Sequence, residues 1–417
     1  AAACALKLQR FDDAVAAMTA AVGAAPEDAT TAQGLADAVK TRGDDDRAAA
    51  LYRRALALDP AGQAIWFNLG VTLGDACRHA AAAGALRRAV TLAPANAAAQ
   101  FSLACELLTL GRLEEGFADY ECRFAAGVGA PATPLPRWRG EPLAGERILL
   151  LAEQGHGDGL QFARYAPLVA AAGAAAVGIE APPALTRLLA TVPGVTRVHP
   201  LGGAPAGEYD LFCPLMSLPA MFGTALATVP ASVPYVADRF DGDERLDRWF
   251  PAQDRRLKIG LAWSGEVRRH DPRQFAANRR RSLALADLAP LLAHPGATFY
   301  SLQLGEPRGE LAASPFSDRI VDPMGDVADF ADSAALVRRL DLVISVCTAT
   351  AHLAGALGKP LWLPLAKRAC WRWLNGRKDS PWYPSAMLFR QTTAGDWSGP
   401  VAEMRMRLDE IICPRHG

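Results

Sequence analysis

The sequence predicts a helical repeat superhelix followed by an α/β portion made of two parallel-sheet halves, and three observations predict it. Pro26, Pro60 and Pro94 stand 34 residues apart, each closing a helical pattern. After Gly145, short apolar runs alternate with helical patterns of about 10–15 residues, the signature of parallel strands joined by crossover helices. A Pro-rich stretch, ATVPASVPYVADRF, divides that alternation into two sets.

The repeats come first. In the unit 63–96, Trp66-x-x-Leu69-Gly70-x-x-Leu73 is followed by Ala82, Leu86 and Ala89. The unit 29–62 carries Leu35, Ala36, Val39, Gly43, Ala48, Tyr52 and Ala55 in the same slots, and the unit from 97 carries Leu103, Ala104, Leu107, Gly111, Gly116 and Tyr120. Ala14, Met18 and Ala21 extend the register into residues 1–28. Small residues at fixed slots let paired helices approach, large ones fill the gap, and each Pro ends a helix because it has no N–H to continue the turn. Over residues 1–126 the chain resembles the tetratricopeptide-repeat family. The resemblance implies a superhelix whose concave face binds a protein partner.

Residues 127–145, GVGAPATPLPRWRGEPLAG, lack helical periodicity and read as a linker. In the first half, 146–250, RILLLAEQ, AAAVGIE, TRVHP and YDLFCPL read as strands, with GLQFARYAPLVAAAG and PPALTRLLATV as helices. In the second half, 251–417, KIGLAWSG, ATFYSLQ, DLVISVC and PLWLPL read as strands, and LALADLAPLLAH, FADSAALVRRL and ATAHLAGALG as helices. Two Rossmann-like subdomains with a cleft between them follow, and ligands of such sheets sit beyond the carboxyl ends of the strands.

Composition narrows the function. The 417 residues are 51% hydrophobic and 21% charged, ordinary for a globular protein, which excludes wholesale disorder and low-complexity architectures. Lys+Arg and Asp+Glu number 44 each. No whole-molecule field is available to hold nucleic acid or an anionic membrane, so an anion site has to be local. Eight cysteines (Cys4, Cys77, Cys105, Cys122, Cys213, Cys347, Cys370, Cys413) are scattered without a C-x-x-C pair, which fits free thiols in a reducing compartment. The opening AAACALKLQRFDDAV lacks the order of a signal peptide, and the uncharged apolar stretch between Arg164 and Glu180 is too short to span a bilayer. The expectation is a soluble cytoplasmic protein with no membrane span.

Three loops after strands can carry chemistry. In EQGHGDG, Gly155, Gly157 and Gly159 let the backbone turn tightly, and Asp158 stands at a helix start, fitted equally to capping that helix or to acting as a general base. WSGEVRRHDPRQFAANRRRS, residues 263–282, holds Arg268, Arg269, Arg273, Arg279, Arg280 and Arg281 against Glu266 and Asp271. As a polar loop inserted after a buried strand it suits phosphate oxygens, with Arg281, nearest the next helix, the foremost candidate. In ISVCTATAHLAGALGKP a helix begins near Thr348 with His352 in its early turns, and free N–H groups there attract anions. A fourth stretch, 368–391, with Trp371, Trp373, Trp382 and Tyr383, has aromatics that could stack a base or a sugar, but it reads rather as packing on the flank of its own domain. No P-loop, G-x-G-x-x-G, G-x-S-x-G or H-E-x-x-H pattern is present.

GHGDGLQFARYAPL, KIGLAWSG, FYSLQLG and DLVISVCTATAHLAGALGKP, in that order, resemble the heptosyltransferase-type (glycosyltransferase family 9) enzymes of GT-B fold. The whole chain is similar to bacterial proteins that join tetratricopeptide repeats to such a domain, some of which glycosylate flagellin. The resemblance implies a nucleotide-sugar substrate, no cofactor, Asp158 as catalytic base, and a donor-binding set of Ser264, Arg281, Gln303, Cys347, Thr348 and His352. Cys347 stands where the family usually has an Asp that touches the donor sugar. The expected function is inverting, metal-independent transfer of a sugar to a hydroxyl of a protein acceptor, since no D-x-D pair lies near a strand end; DDD at 44–46 and DGD at 241–243 fall in a repeat turn and between the halves. A non-catalytic adaptor with a degenerate transferase domain is the alternative, and an O-GlcNAc-transferase-like enzyme shares the same plan with less similar loops.

Overall fold

The computed structural model describes residues 11–129, 133–267, 269 and 271–412, which fall into two compact units, 11–129 with Cys370–Asn375 and the remainder. Cys4, Cys413 and Arg268, with the side chain of Arg273, lie outside that description. Among the described residues, no helix is long and apolar enough to cross a membrane.

The repeat unit holds α1 (Phe11–Ala24), α2 (Ala29–Thr41), α3 (Asp45–Leu58), α4 (Gln63–Asp75), α5 (His79–Leu92), α6 (Ala97–Thr109) and α7 (Leu113–Tyr120). Helices α2, α4 and α6 begin 34 residues apart, and so do α3, α5 and α7. The three prolines follow the ends of α1, α3 and α5. Asp28, Asp44 and Asn96 cap α2, α3 and α6 through backbone N–H groups. Asp44 of the DDD run is therefore a cap. The repeat glycine Gly70 packs so closely that a Cβ there would lie 2.5 Å from Leu86 Cγ. Between α5 and α6 the buried His79 and Glu106 pair at 2.7 Å. Hydrogen bonds to Cys77 and Glu106 push the His79 imidazole up to about 9 against the opposing effect of burial.

One expectation is corrected here. The tryptophan-rich stretch does not pack wholly on the flank of its own domain: Cys370–Asn375 belongs to the repeat unit. Trp371 meets Phe117 and Tyr120 edge-on at 5.6 and 5.8 Å, and the Asn375 N–H donates to the Thr109 carbonyl at 2.9 Å. Aromatic pairs of this geometry add about 0.5–1.5 kcal/mol each beyond burial.

The second unit contains two wholly parallel sheets. The first joins β1 (Arg147–Leu151), β2 (Ala176–Ala181), β3 (Arg197–Pro200) and β4 (Leu211–Pro214) in the order β3-β2-β1-β4. Numbering helices of seven residues or more, α8 (His156–Phe162) follows β1 and α9 (Pro183–Leu189) follows β2. The second sheet joins β5 (Leu257–Ala262), β6 (Ala297–Ser301), β7 (Ile320–Val321), β8 (Leu342–Ser345), β9 (Leu361–Leu365) and β10 (Ala386–Arg390) in the order β10-β9-β8-β5-β6-β7. Its longer helices are α10 (Pro272–Arg281), α11 (Phe330–Arg338), α12 (Ala349–Ala356) and α13 (Ser398–Ile412). β6, β8 and β9 are buried along their whole length, which is why they read as unbroken apolar runs instead of alternating ones.

Several local expectations are corrected. The arginine-rich insertion is not a loop throughout: α10 occupies its second part, started by Pro272, whose missing N–H costs nothing in a first turn. GLQFARYAPLVAAAG and LALADLAPLLAH are each broken rather than continuous, near Pro167 and Pro290, which have no N–H to donate. β7, β10 and α13 were not expected. Residues 136–138 run beside β4, with the Phe212 N–H donating to the Pro136 carbonyl at 3.0 Å and the Trp138 N–H to the Phe212 carbonyl at 2.8 Å. Asp243 of the DGD run accepts from Arg338 at 3.2 Å and Arg339 at 2.9 Å.

Candidate functional site

Strand order reverses direction between β1 and β4 in the first sheet and between β5 and β8 in the second, and crevices open beyond the carboxyl ends at such points. The loops singled out by the sequence leave β1, β5 and β8 at these points. Ala262 and Ser345 are register partners, so the loops after β5 and β8 start level with one another.

The first turns of α8 and α12 come together. A Cβ on Gly157 would stand 2.7 Å from Cδ2 and 3.4 Å from Nε2 of His352, so only glycine lets the α8 backbone lie against that imidazole. His352 is buried, and its Nδ1 lies 2.8 Å from the Tyr383 hydroxyl. His156 faces Phe330, at the start of α11, with ring centroids 5.4 Å apart. The first turns of α8, α11 and α12 thus lie close together.

The carboxylate of Asp158 accepts the N–H of Gly155 at 3.0 Å, closing the first turn of α8. It is therefore a helix cap. A carboxylate has about four acceptor positions, so this bond does not exhaust it. Thr348 is the N-cap of α12, yet its side chain makes no capping bond; its hydroxyl pairs with Ser345 Oγ at 3.0 Å. Among the described residues the N–H groups of Ala349 and Thr350 meet no acceptor. The open amides and the positive end of the helix dipole favour an anion there.

After β5, Gly265 lies under the Arg281 side chain: a Cβ there would meet Asn278 Oδ1 at 2.3 Å and Arg281 Nη2 at 2.5 Å. Arg281 Nε donates to Asn278 Oδ1 at 3.1 Å, while its two terminal nitrogens have no acceptor among the described residues. Arg269, in contrast, is committed to Glu306.

Ser264 and Gln303 are engaged internally. Gln303 Oε1 accepts the N–H groups of Trp263 at 3.0 Å and Ser264 at 2.9 Å, and its Nε2 donates to the carbonyls of Ser264 and Leu304, both at 2.9 Å. The Ser264 hydroxyl bonds Gly265 and Ser282. These two residues brace the ends of β5 and β6 and so hold Gly265 in place. Cys347, half-buried, sits between β8 and α12.

Sequence reasoning missed Arg164, Tyr235 and the inward role of Tyr383. Arg164 is buried, bonds to Tyr235 and stacks on Tyr383, which touches His352. The available signal was the charge itself, since Arg164 stands alone at the head of the uncharged apolar stretch that runs to Glu180.

Comparison with known proteins agrees with the repeat reading and extends along the chain. The tetratricopeptide repeat family matches residues 4–63 and 34–97. Among solved structures, MamA from Desulfovibrio magneticus RS-1 is 20% identical, covering 30% of this chain and 70% of its own, with a TM-score of 0.29. YrrB, described as a TPR protein with an unusual peptide-binding site, is 21% identical and covers 29% of this chain and 62% of its own, with a TM-score of 0.27. Protein FlbA of Caulobacter vibrioides is 32% identical over 443 aligned positions, covering 98% of this chain and 72% of FlbA. Since that identity spans the repeats and both parallel sheets, the chain belongs to the family of protein FlbA.

Proposed function

We propose that this protein is a GT-B glycosyltransferase, inverting and metal-independent, which moves a sugar from a nucleotide sugar to a hydroxyl of a protein acceptor recruited by the repeats. The observation that carries the reading is the meeting of Gly157 and His352 where α8 and α12 begin, with the uncommitted guanidinium nitrogens of Arg281 after β5. A carboxylate, an imidazole, open helix amides and a guanidinium are the groups that an anionic leaving group and an attacking hydroxyl require.

In this reading Asp158 takes the acceptor proton as the hydroxyl oxygen attacks the anomeric carbon. The bond from that carbon to the nucleotide's phosphate oxygen breaks, and the amides of Ala349 and Thr350, His352 and Arg281 stabilise the departing charge. A flagellin-like acceptor accords with the resemblance of the whole chain to repeat-fused transferases.

The test is to incubate the full chain with nucleotide sugars and measure released nucleotide. Release that vanishes in Asp158→Asn supports the reading, and no release with any donor sinks it. The second reading, a non-catalytic adaptor, is favoured by Cys347 in the family's Asp position and by the internal engagement of Ser264 and Gln303. It predicts capture of a client protein with no nucleotide release.

A further inference from the structure

Several arginines of the second half are matched by carboxylates. Arg256 pairs with Asp254, Arg308 with Asp322, Arg339 with Asp243 and Arg269 with Glu306. Arg281, the last residue of α10, is held instead by a neutral side chain: its Nε donates to Asn278 Oδ1 at 3.1 Å, and it meets no carboxylate among the described residues. The contrast is one of charge. A carboxylate anchor cancels the field of a guanidinium, whereas an amide anchor fixes the group and leaves that field intact.

Asn278 is itself firmly placed. It lies three residues before Arg281 on α10, is 5% exposed, and uses both ends of its amide. Oδ1 takes the Arg281 Nε hydrogen, and Nδ2 donates to the Gly265 carbonyl at 3.2 Å. Arginine only donates and a carbonyl only accepts, so these two partners fix which way the amide points. The Asn278 main-chain carbonyl accepts the Ser282 N–H at 3.1 Å and the Ser282 hydroxyl at 2.8 Å, and Ser282 Oγ in turn meets Ser264 Oγ at 3.0 Å. The residue therefore joins the loop after β5 to the end of α10. A carboxylate in its place would set an anion against the Gly265 carbonyl.

The same bond selects the working face of the guanidinium. With Nε occupied, the N–H groups of Nη1 and Nη2 remain as a fork suited to two oxygens of one phosphoryl group. Gly265 permits the close approach, since a Cβ there would stand 2.5 Å from Nη2. Arg281 itself is half-buried.

We infer that Asn278 is a positioning residue that aims the terminal nitrogens of Arg281 at a phosphoryl group while leaving the guanidinium charge uncancelled. This role deepens the transferase reading and rests on it for the identity of the ligand, the leaving nucleotide.

The test is calorimetric titration of the full chain with inorganic pyrophosphate, a probe that needs neither a sugar nor turnover, in wild type, Asn278→Ala, Arg281→Gln and the double variant. Asn278→Ala is expected to weaken binding about threefold to tenfold, the effect of one lost hydrogen bond. Added to Arg281→Gln it should cost nothing further, because its effect passes through the guanidinium. Asn278→Asp keeps a partner for Nε but cancels the charge, so it should weaken binding more than Asn278→Ala does. Equal losses from Asn278→Ala with and without Arg281 mark a merely structural residue and overturn the inference. So do binding that Arg281→Gln leaves unchanged, an Asn278→Asp loss no larger than that of Asn278→Ala, and a wild type that binds no pyrophosphate. If Asn278→Ala fails to fold, Asn278→Asp decides alone, and binding within about twofold of wild type overturns the role. The expected pattern in a chain that releases nucleotide from no donor keeps the role of Asn278 and sinks the transferase reading; nucleotide release with additive losses does the reverse.

Discussion

Helices α8 and α12 both begin where a buried parallel strand ends, yet their first turns are completed differently. In α8 the chain supplies its own anion, the Asp158 carboxylate on the Gly155 N–H. In α12 the cap residue Thr348 turns its hydroxyl to Ser345, and the amides of Ala349 and Thr350 stay open. The difference teaches where an external anion can bind. A helix end that already holds a carboxylate repels a second negative charge, while an uncapped end attracts one. In the proposed transferase reading, the asymmetry corresponds to acceptor chemistry on the α8 side and departing charge on the α12 side.

Asp158→Asn is the sharpest way to break the comparison. An amide oxygen still accepts the Gly155 N–H, so thermal stability should barely change, whereas nucleotide release should fall about a thousandfold if the carboxylate is a base. Equal activity in the variant would reduce Asp158 to a cap. Gly157→Val comes next. The added atoms enter the space of the His352 ring, and displacing the two helix ends by a fraction of an ångström should cost about a hundredfold in turnover, read in the same assay.

Arg281→Gln sharpens the α12 side. Losing a charged donor to phosphate should weaken nucleotide affinity by roughly tenfold to a hundredfold in calorimetric titration, with the fold unchanged. The smallest effect is expected from Thr348→Ala, which should change unfolding free energy by less than about 0.5 kcal/mol because no capping bond is lost, against about 1 kcal/mol for Asp158→Ala. Denaturant titration of the two variants side by side checks the contrast directly.

The repeats were legible because their contacts are local and periodic: Gly70 and Leu86, or Pro60 and Pro94, recur at offsets that a single chain displays. The strands β1, β5 and β8 were legible as buried apolar runs, and with them the loops that follow. Asp158 could be placed at a helix start but not divided between cap and base, since an Asp suits both. Gln303 looked like a ligand contact; its four internal bonds depend on β6 lying beside β5, which no local pattern reveals. Trp371 looked like flank packing because its partners Phe117 and Tyr120 lie some 250 residues earlier in the chain.

What the sequence determined by itself is whatever neighbours along the chain decide: helix register, caps, proline breaks, strand identity and the glycines of the tight turns. What only the tertiary structure decided is which of those neighbourhoods meet. The approach of Gly157 to His352, the open nitrogens of Arg281 over Gly265, and the stacking of Arg164 on Tyr383 all join distant segments. Hydrogen-bond geometry and burial act over a few ångströms of space, and distance along the chain does not enter them.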